Sequence, residues 1–273
     1  MTERNGGERR RRPAADGPRR GPRPQRQAPR SSGPDRARRA QPQPASEAPA
    51  RPAPVGPEIP EDIEAKQLAP EIRRELSTLD RFTADAVARH LVAAGALIED
   101  DPQAALEHAR AARARSSRIA AVREAVGIAA YHCGDWAQAL AELRAARRMG
   151  SKSVLLPVIA DCERGLGRPQ RAIELARGPE AAQLEGDDAD ELRIVAAGAR
   201  TDLGQLDAAL TLLSTPQLNP DRTGPTAARL FYAYADTLLA LHRREEALQW
   251  FLRSAAADTE GVTDAEDRAG ELG

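Results

Sequence analysis

Residues 122–149 read VREAVGIAAYHCGDWAQALAELRAARRM, and this stretch decides the fold. Apolar and small residues recur at every third or fourth position, which predicts two amphipathic helices, over 120–132 and 136–148. Gly134 suits the left-handed end of the first helix, and Asp135 suits the cap at the start of the second. The stretch is therefore predicted to form a hairpin of two antiparallel helices.

The same hairpin recurs along the chain. An alanine near the start of each second helix returns at intervals of 34, 33, 37 and 38 residues, as Ala105, Ala139, Ala172, Ala209 and Ala247. The helix pairs are predicted over 82–98 and 102–115, 120–132 and 136–148, 153–166 and 169–177, 190–203 and 206–213, and 226–241 and 244–257. One such hairpin leaves apolar surface on both sides, so neighbouring hairpins are expected to stack. The predicted fold class is all-α, an α-solenoid of about five antiparallel helix pairs.

The repeat resembles the tetratricopeptide repeat (TPR) family over residues 82–257. Gly127 and Gly134 stand at the family's glycine positions in the first helix and in the turn, and Trp136 stands at the aromatic position that opens the second helix. Four residues of the later hairpins depart from the pattern: Pro157, Pro179, Pro216 and His242, which replaces the turn glycine. The resemblance implies a TPR-like superhelix that binds partners in a concave groove lined by its first helices.

Charge and composition divide the chain into segments. Residues 1–56 hold fourteen Arg against five acidic residues, a net charge of +9, and the remainder holds 26 basic and 36 acidic residues, a net charge of −10. We expect a disordered Arg/Pro/Gly-rich tail over 1–58, because this composition buries too little apolar surface to offset its chain entropy. A capping helix region is predicted over 59–81, the repeat domain over 82–257, and an acidic, frayed end over 258–273.

The resemblance places exposed residues of the first helices in the groove. These candidate groove residues form a mixed, mildly acidic surface that would suit an extended or helical peptide. They are His90, Glu124, Ile128, Tyr131, Asp161, Arg164, Glu191, Tyr232 and Asp236. The alternative interpretation is an ordinary solvated helix face.

Arginines recur at equivalent positions of the second helices, and we call them the Arg ladder. Its members are Arg110, Arg113, Arg144, Arg147 and Arg177. A row of cations could bind an acidic partner, RNA or the acidic C-terminal tail of the chain. The alternative is a solvated face with i,i+3 pairs, Glu107 with Arg110 and Glu174 with Arg177.

Several classes of protein find little support in the sequence. Cys133 and Cys162 lie in apolar helical patterns, so we interpret them as buried thiols of a protein from a reducing compartment. We find no secretory signal and no apolar run of the roughly 18 residues that a spanning helix needs, so we expect a cytoplasmic protein without a membrane partner. The four histidines lack metal-ligand spacing, and no nucleotide-binding or hydrolase motif is present, so we predict no metal, cofactor or catalytic residue.

Three functions remain open from the sequence. The first is a non-catalytic protein–protein interaction scaffold that binds a partner peptide or protein in the concave groove. The second is an RNA- or ribosome-associated adaptor, in which the Arg-rich tail would neutralise phosphates while the repeats hold a protein. The third is a regulatory or catalytic subunit whose activity lies in a partner. The oligomeric state also remains open.

Overall fold

The computed structural model describes residues 56–214 and 218–273, and the structural statements below refer to these residues. In this part of the chain there are twelve α-helices, two short 3-10 helices at Ala65–Gln67 and Ala181–Gln183, and no β-strand. The helices are α1 Pro70–Leu76, α2 Arg81–Leu97, α3 Pro102–Arg115, α4 Ala120–His132, α5 Trp136–Arg148, α6 Leu156–Gly165, α7 Pro169–Ala176, α8 Gly186–Asp202, α9 Leu206–Leu213, α10 Pro225–Ala240, α11 Arg244–Ala257 and α12 Ala265–Leu272. The predicted tail, apart from residues 56–58, and Pro216 lie outside the described residues.

Helices α2 to α11 form five hairpins that stack in chain order. Each second helix packs against the first helix of the next hairpin. The first helices α6, α8 and α10 also pack against one another, as do α2 and α4, whereas neighbouring second helices make few direct contacts. First helices therefore lie closer to one another than second helices do at three of the four junctions between hairpins. The predicted all-α solenoid of antiparallel helix pairs is confirmed.

Local sequence signals set most of the helix bounds. Helices α4 and α5 begin and end as predicted. Helix α6 begins at Leu156 rather than at residue 153, and Pro157 lies in its first turn, where the missing N–H costs no hydrogen bond. Helix α8 begins at Gly186 rather than at residue 190, and its first turn holds Asp187 and Asp188, whose charges favour a helix N-terminus.

Four of the five hairpins turn through the same helix C-terminal motif. The N–H of Gly134 donates to the carbonyl of Tyr131 at 2.9 Å, and the next N–H donates to the carbonyl five residues before it. This Schellman pattern needs a residue in the left-handed conformation. Gly134, Gly167 and Gly204 supply it with φ of 70°, 71° and 70°, and His242 adopts the same conformation with φ of 61°. The turn between α10 and α11 therefore has the same conformation although His242 stands in place of glycine.

Small residues allow the helices to approach closely. The five recurring alanines that revealed the repeat are all fully buried: Ala105, Ala139, Ala172, Ala209 and Ala247. A Cβ on Gly127 of α4 would come 2.6 Å from Cγ of Leu143 on α5. The repeat was visible in the sequence because these positions tolerate only the smallest side chains.

The chain before α1 covers the first hairpin. Nε of Arg89 on α2 donates to the carbonyl of Ile63 at 2.8 Å. Leu68 and Leu76 are buried in the same cluster as Val87. Residues 56–68 are thus held against α2 by both polar and apolar contacts.

The acidic end of the chain differs from the prediction of a frayed segment. Residues 258–273 contain α12, which packs against α11. Ala265 and Ala269 are buried in a cluster with Phe251, and the Arg268 guanidinium lies 4.9 Å from the centre of the Phe251 ring. The prediction weighed the acidic composition and overlooked the apolar face that two alanines four residues apart create on a helix.

Candidate functional site

A row of polar contacts joins candidate groove residues on three first helices. The Tyr131 hydroxyl of α4 donates to Oδ2 of Asp161 on α6 at 2.6 Å. Arg164 donates to Oδ1 of Asp161 at 2.8 Å and, through Nε, to Oδ2 of Asp202 on α8 at 2.9 Å. Burial, and next the bond to Asp161, raises the pKa of Tyr131, so its hydroxyl stays protonated as the donor. We call Tyr131, Asp161, Arg164 and Asp202 the polar row; sequence reasoning found the first three and missed Asp202.

Two glycines let large side chains lie flat beside this row. A Cβ on Gly165 would come 2.5 Å from Cδ2 of Trp136, and one on Gly198 would come 2.6 Å from Cζ of Arg164. The indole and the guanidinium therefore fill the space that these glycines leave. The Tyr131 ring meets the Trp136 ring edge-on, with 5.3 Å between their centres. The polar row is thus held both by the hydrogen bonds between its members and by packing against these neighbouring residues.

A second set of polar contacts holds the candidate groove residues on α8 and α10. Arg229 of α10 donates from Nε to Glu191 of α8 at 3.1 Å. Arg268 of α12 donates to the Tyr232 hydroxyl at 2.9 Å and to Asp236 at 3.0 Å. The groove candidates on α8 and α10 are therefore brought together with arginines that sequence reasoning did not assign to the groove.

An apolar pocket opens between α8, α10 and the loop that follows α11. We call it the C-terminal pocket; its lining includes Ile194, Arg229, Tyr232, Ala233, Val262 and Asp264. Val262 is 41% exposed, and few large aliphatic residues in the described part of the chain are as exposed. The sequence prediction missed the pocket because its outer wall belongs to the segment that was expected to fray.

His90 is a correction to the predicted groove. It is 1% exposed, and its Nδ1 lies 3.0 Å from Nδ1 of His108 on α3. Burial, and next the charge of Arg115, lowers the pKa of His90 to about 4. A neutral imidazole therefore lies between the helices of the first hairpin. The spacing of apolar residues on α2 did not distinguish this buried polar position from an exposed one.

The two remaining groove candidates lie on α4 and are half-buried. Glu124 accepts a hydrogen bond from Oγ of Ser151 at 2.7 Å. Ile128 packs at the edge of the core cluster that contains Val126 and Leu143. Both residues are mainly engaged within the fold.

Most of the Arg ladder is occupied by contacts to the next hairpin. These are Arg110 with Gln138 at 2.6 Å, Arg113 with Glu142, Arg144 with Glu163 at 2.5 Å, and Arg147 with Glu180 at 2.8 Å. Arg177 is exposed and lies outside these pairs. The predicted i,i+3 pairs are wrong: Arg110 turns to Gln138, and Glu174 bonds to Arg171 at 2.6 Å. The ladder mainly joins consecutive hairpins.

Three buried carboxylates that sequence reasoning missed each contact two arginines. They are Glu142 with Arg113 and Arg123, Glu163 with Arg144 and Arg168, and Asp190 with Arg193 and Arg222. A buried carboxylate needs such partners to offset its lost hydration. The available signal was an acidic residue on an alanine-rich helix face, as in AELRAA around Glu142.

Reactive groups outside the groove are few in the described residues. Burial raises the pKa of Cys162 to about 12, so its thiol is protonated at neutral pH and is a poor nucleophile. Across residues 56–214 and 218–273, no group of three or more His, Cys, Asp or Glu is placed to hold a metal ion. Within the same ranges, no helix has the length and apolarity that crossing a membrane requires.

Comparisons with known proteins complete this description. No family model matches the sequence, and no curated protein matches it. Among solved structures, YrrB, described as a TPR protein with an unusual peptide-binding site, matches with a TM-score of 0.44 and 19% identity over 72% of this chain and 97% of that chain. The chain is similar to a TPR protein.

Proposed function

We propose that the chain is a non-catalytic scaffold that binds a partner peptide or protein along its first helices. The polar row carries this proposal. Its side chains are already oriented by one another, so a partner would lose little free energy in ordering them. Asp202 is exposed, and a carboxylate accepts more hydrogen bonds than Arg164 alone supplies. The row can therefore receive further donors from a peptide backbone or side chain.

The RNA- or ribosome-associated adaptor has less support. Three members of the Arg ladder are paired with residues of the next hairpin, and a fourth, Arg147, is paired with Glu180 in the loop after α7, so these four do not present a free row of cations. The Arg-rich tail that would bind phosphates lies outside the described residues. RNA binding that weakens steeply with salt and is lost when residues 1–55 are deleted would restore this alternative.

A charge reversal in the polar row tests the scaffold. Partners are captured from a cell extract with the full chain and with its Asp202→Arg variant, and they are quantified by mass spectrometry. We expect Asp202→Arg to reduce the captured partner at least several-fold, because it repels Arg164 and removes an acceptor.

The matched control is Glu107→Arg, an equal reversal at an exposed position of the second helix α3. Thermal unfolding confirms that both variants are folded. Equal capture by Asp202→Arg and the unmodified chain, or an equal loss with Glu107→Arg, would remove the polar row as the binding surface.

A further inference from the structure

The C-terminal pocket differs from the polar row in its chemistry. Its apolar lining comes from Ile194 of α8, Ala233 of α10 and Val262 of the loop after α11. Burying aliphatic groups against such walls removes apolar surface from water on both partners. The pocket is therefore suited to an aliphatic side chain rather than to a polar one.

The outer wall of the pocket is ordered before any ligand arrives. The carboxylate of Asp258 accepts hydrogen bonds from the N–H groups of Val262 and Thr263 at 2.9 and 2.8 Å, and from the Thr263 hydroxyl at 2.7 Å. Gly261 adopts φ of 70°, which lets the loop bend back toward α10. Val262 is thus held at the pocket by its own backbone contacts, so little ordering remains to be paid on binding.

The charge at the pocket is negative once internal pairs are counted. Arg229 is paired with Glu191, and Arg268 is paired with Asp236. Asp264 lines the pocket and accepts a hydrogen bond from the Tyr232 hydroxyl, but it forms no ion pair among the described residues, and neither does the nearby exposed Glu260. Residues 258–273 as a whole hold six acidic residues and one Arg, a net charge of −5. A positively charged ligand would therefore be favoured at the rim of the pocket.

We infer that the C-terminal pocket binds an aliphatic side chain of a basic peptide segment, in which Lys or Arg lies next to Leu, Ile or Val. The aliphatic group would lie against Val262 and Ile194, and the neighbouring cation would approach Asp264. This inference rests on the proposed scaffold function, because it names the class of partner that one part of the groove accepts.

Short synthetic peptides test the inference on the full chain. The probes are the peptides Gly-Lys-Leu-Lys-Gly, Gly-Glu-Leu-Glu-Gly and Gly-Lys-Ser-Lys-Gly, blocked at both ends. Methyl NMR spectra follow Ile194 and Val262 during each titration. We expect the Lys-Leu-Lys peptide alone to shift both methyl signals in a saturable way, with an affinity at least several-fold higher than that of either other peptide.

Two variants assign the effect to the pocket. Val262→Ser removes aliphatic surface and should weaken the Lys-Leu-Lys peptide by about tenfold, the change that corresponds to roughly one or two buried methyl groups. Asp264→Asn should weaken it by about twofold to fivefold and remove most of the salt dependence, as expected for a charge at a solvated rim. The matched control is Leu252→Ser, which changes an aliphatic residue of 49% exposure on α11 and should leave the affinity unchanged.

Two outcomes would overturn the inference. One is the absence of methyl shifts at Ile194 and Val262 at a millimolar concentration of the Lys-Leu-Lys peptide. The other is an equal response to the Glu-Leu-Glu peptide or to the Lys-Ser-Lys peptide. Failure here while Asp202→Arg still reduces partner capture several-fold would reject the pocket and leave the scaffold proposal standing. Loss of both effects would reject the scaffold as well.

Discussion

The guanidinium of Arg164 lies across α8 at Gly198, where an added Cβ would come 2.6 Å from its Cζ. Gly127 makes a different contact, because a Cβ there would come 2.6 Å from Cγ and 3.2 Å from the backbone N of Leu143. Leu143 is fully buried, whereas the guanidinium of Arg164 is the flexible end of a partly exposed side chain. The side chain beside Gly198 can therefore move to make room for a methyl group, whereas the side chain beside Gly127 cannot.

Alanine substitutions at these glycines form a matched pair. Gly127→Ala should destabilise the fold by about 1–3 kcal/mol, the usual cost of overpacking a core that cannot move. Gly198→Ala should leave the free energy of unfolding within about 1 kcal/mol of the parent, because the gain in helix propensity offsets a displaced surface ion pair. Urea denaturation measures both, and a greater loss for Gly198→Ala than for Gly127→Ala would contradict this account.

The left-handed His242 offers a stabilising substitution. His242→Gly should raise the free energy of unfolding by about 0.5–1 kcal/mol, because glycine adopts this conformation without the steric cost that a Cβ brings. The reciprocal change, Gly204→His in the equivalent turn of the preceding hairpin, should destabilise by a similar amount. Thermal unfolding of the two variants checks the pair, and a destabilised His242→Gly would show that the imidazole makes a contact more valuable than the relief of strain.

The buried carboxylate of Glu142 should matter for stability. Glu142→Gln should cost about 1–3 kcal/mol, because it leaves Arg113 and Arg123 with a neutral partner in a largely dehydrated site. The control is Glu246→Gln. The Glu246 carboxylate is exposed, and both of its oxygens accept hydrogen bonds from a single arginine, Arg243. Its urea midpoint should be unchanged. Equal effects of the two substitutions would mean that burial at Glu142 adds nothing to the pair.

The buried His90 should make the fold sensitive to acid. Burial lowers its pKa to about 4 from the ordinary value of 6.5, so the unfolded chain binds a proton more readily than the folded one. The free energy of unfolding is therefore unaffected by His90 above pH 6.5, and it decreases as the pH falls toward 4. Thermal unfolding at intervals between pH 7.5 and 4.5 should show a steeper decline for the parent than for His90→Gln. Identical slopes would exclude His90 as the titrating group.

The third and fourth hairpins should open before the second. Helices α7 and α9 have only eight residues each, and the sequence holds no aromatic residue between Trp136 and Phe231. Less apolar surface is therefore buried per residue in this part of the stack, which lowers its local stability. Hydrogen exchange should show lower protection over 153–213 than over 120–148. Equal or greater protection over 153–213 would refute the prediction.

The hairpins and the order in which they stack follow from the amino-acid sequence alone. Helical periodicity, the turn glycines and the recurring alanines are local or evenly spaced features, so they can be read without coordinates. This is why α4 and α5 have the predicted bounds and why the five recurring alanines are buried.

Which side chains meet depends instead on how the helices pack together. His90 faces His108 rather than the groove, the Arg ladder turns to the next hairpin, and α12 holds Tyr232 through Arg268. These contacts depend on the rotation and offset between neighbouring helices, which place residues 18 to 36 positions apart within hydrogen-bonding distance. A local pattern fixes the face on which a residue lies, but its partner is fixed by the packing of the whole stack, because that packing sets the distance between the two faces.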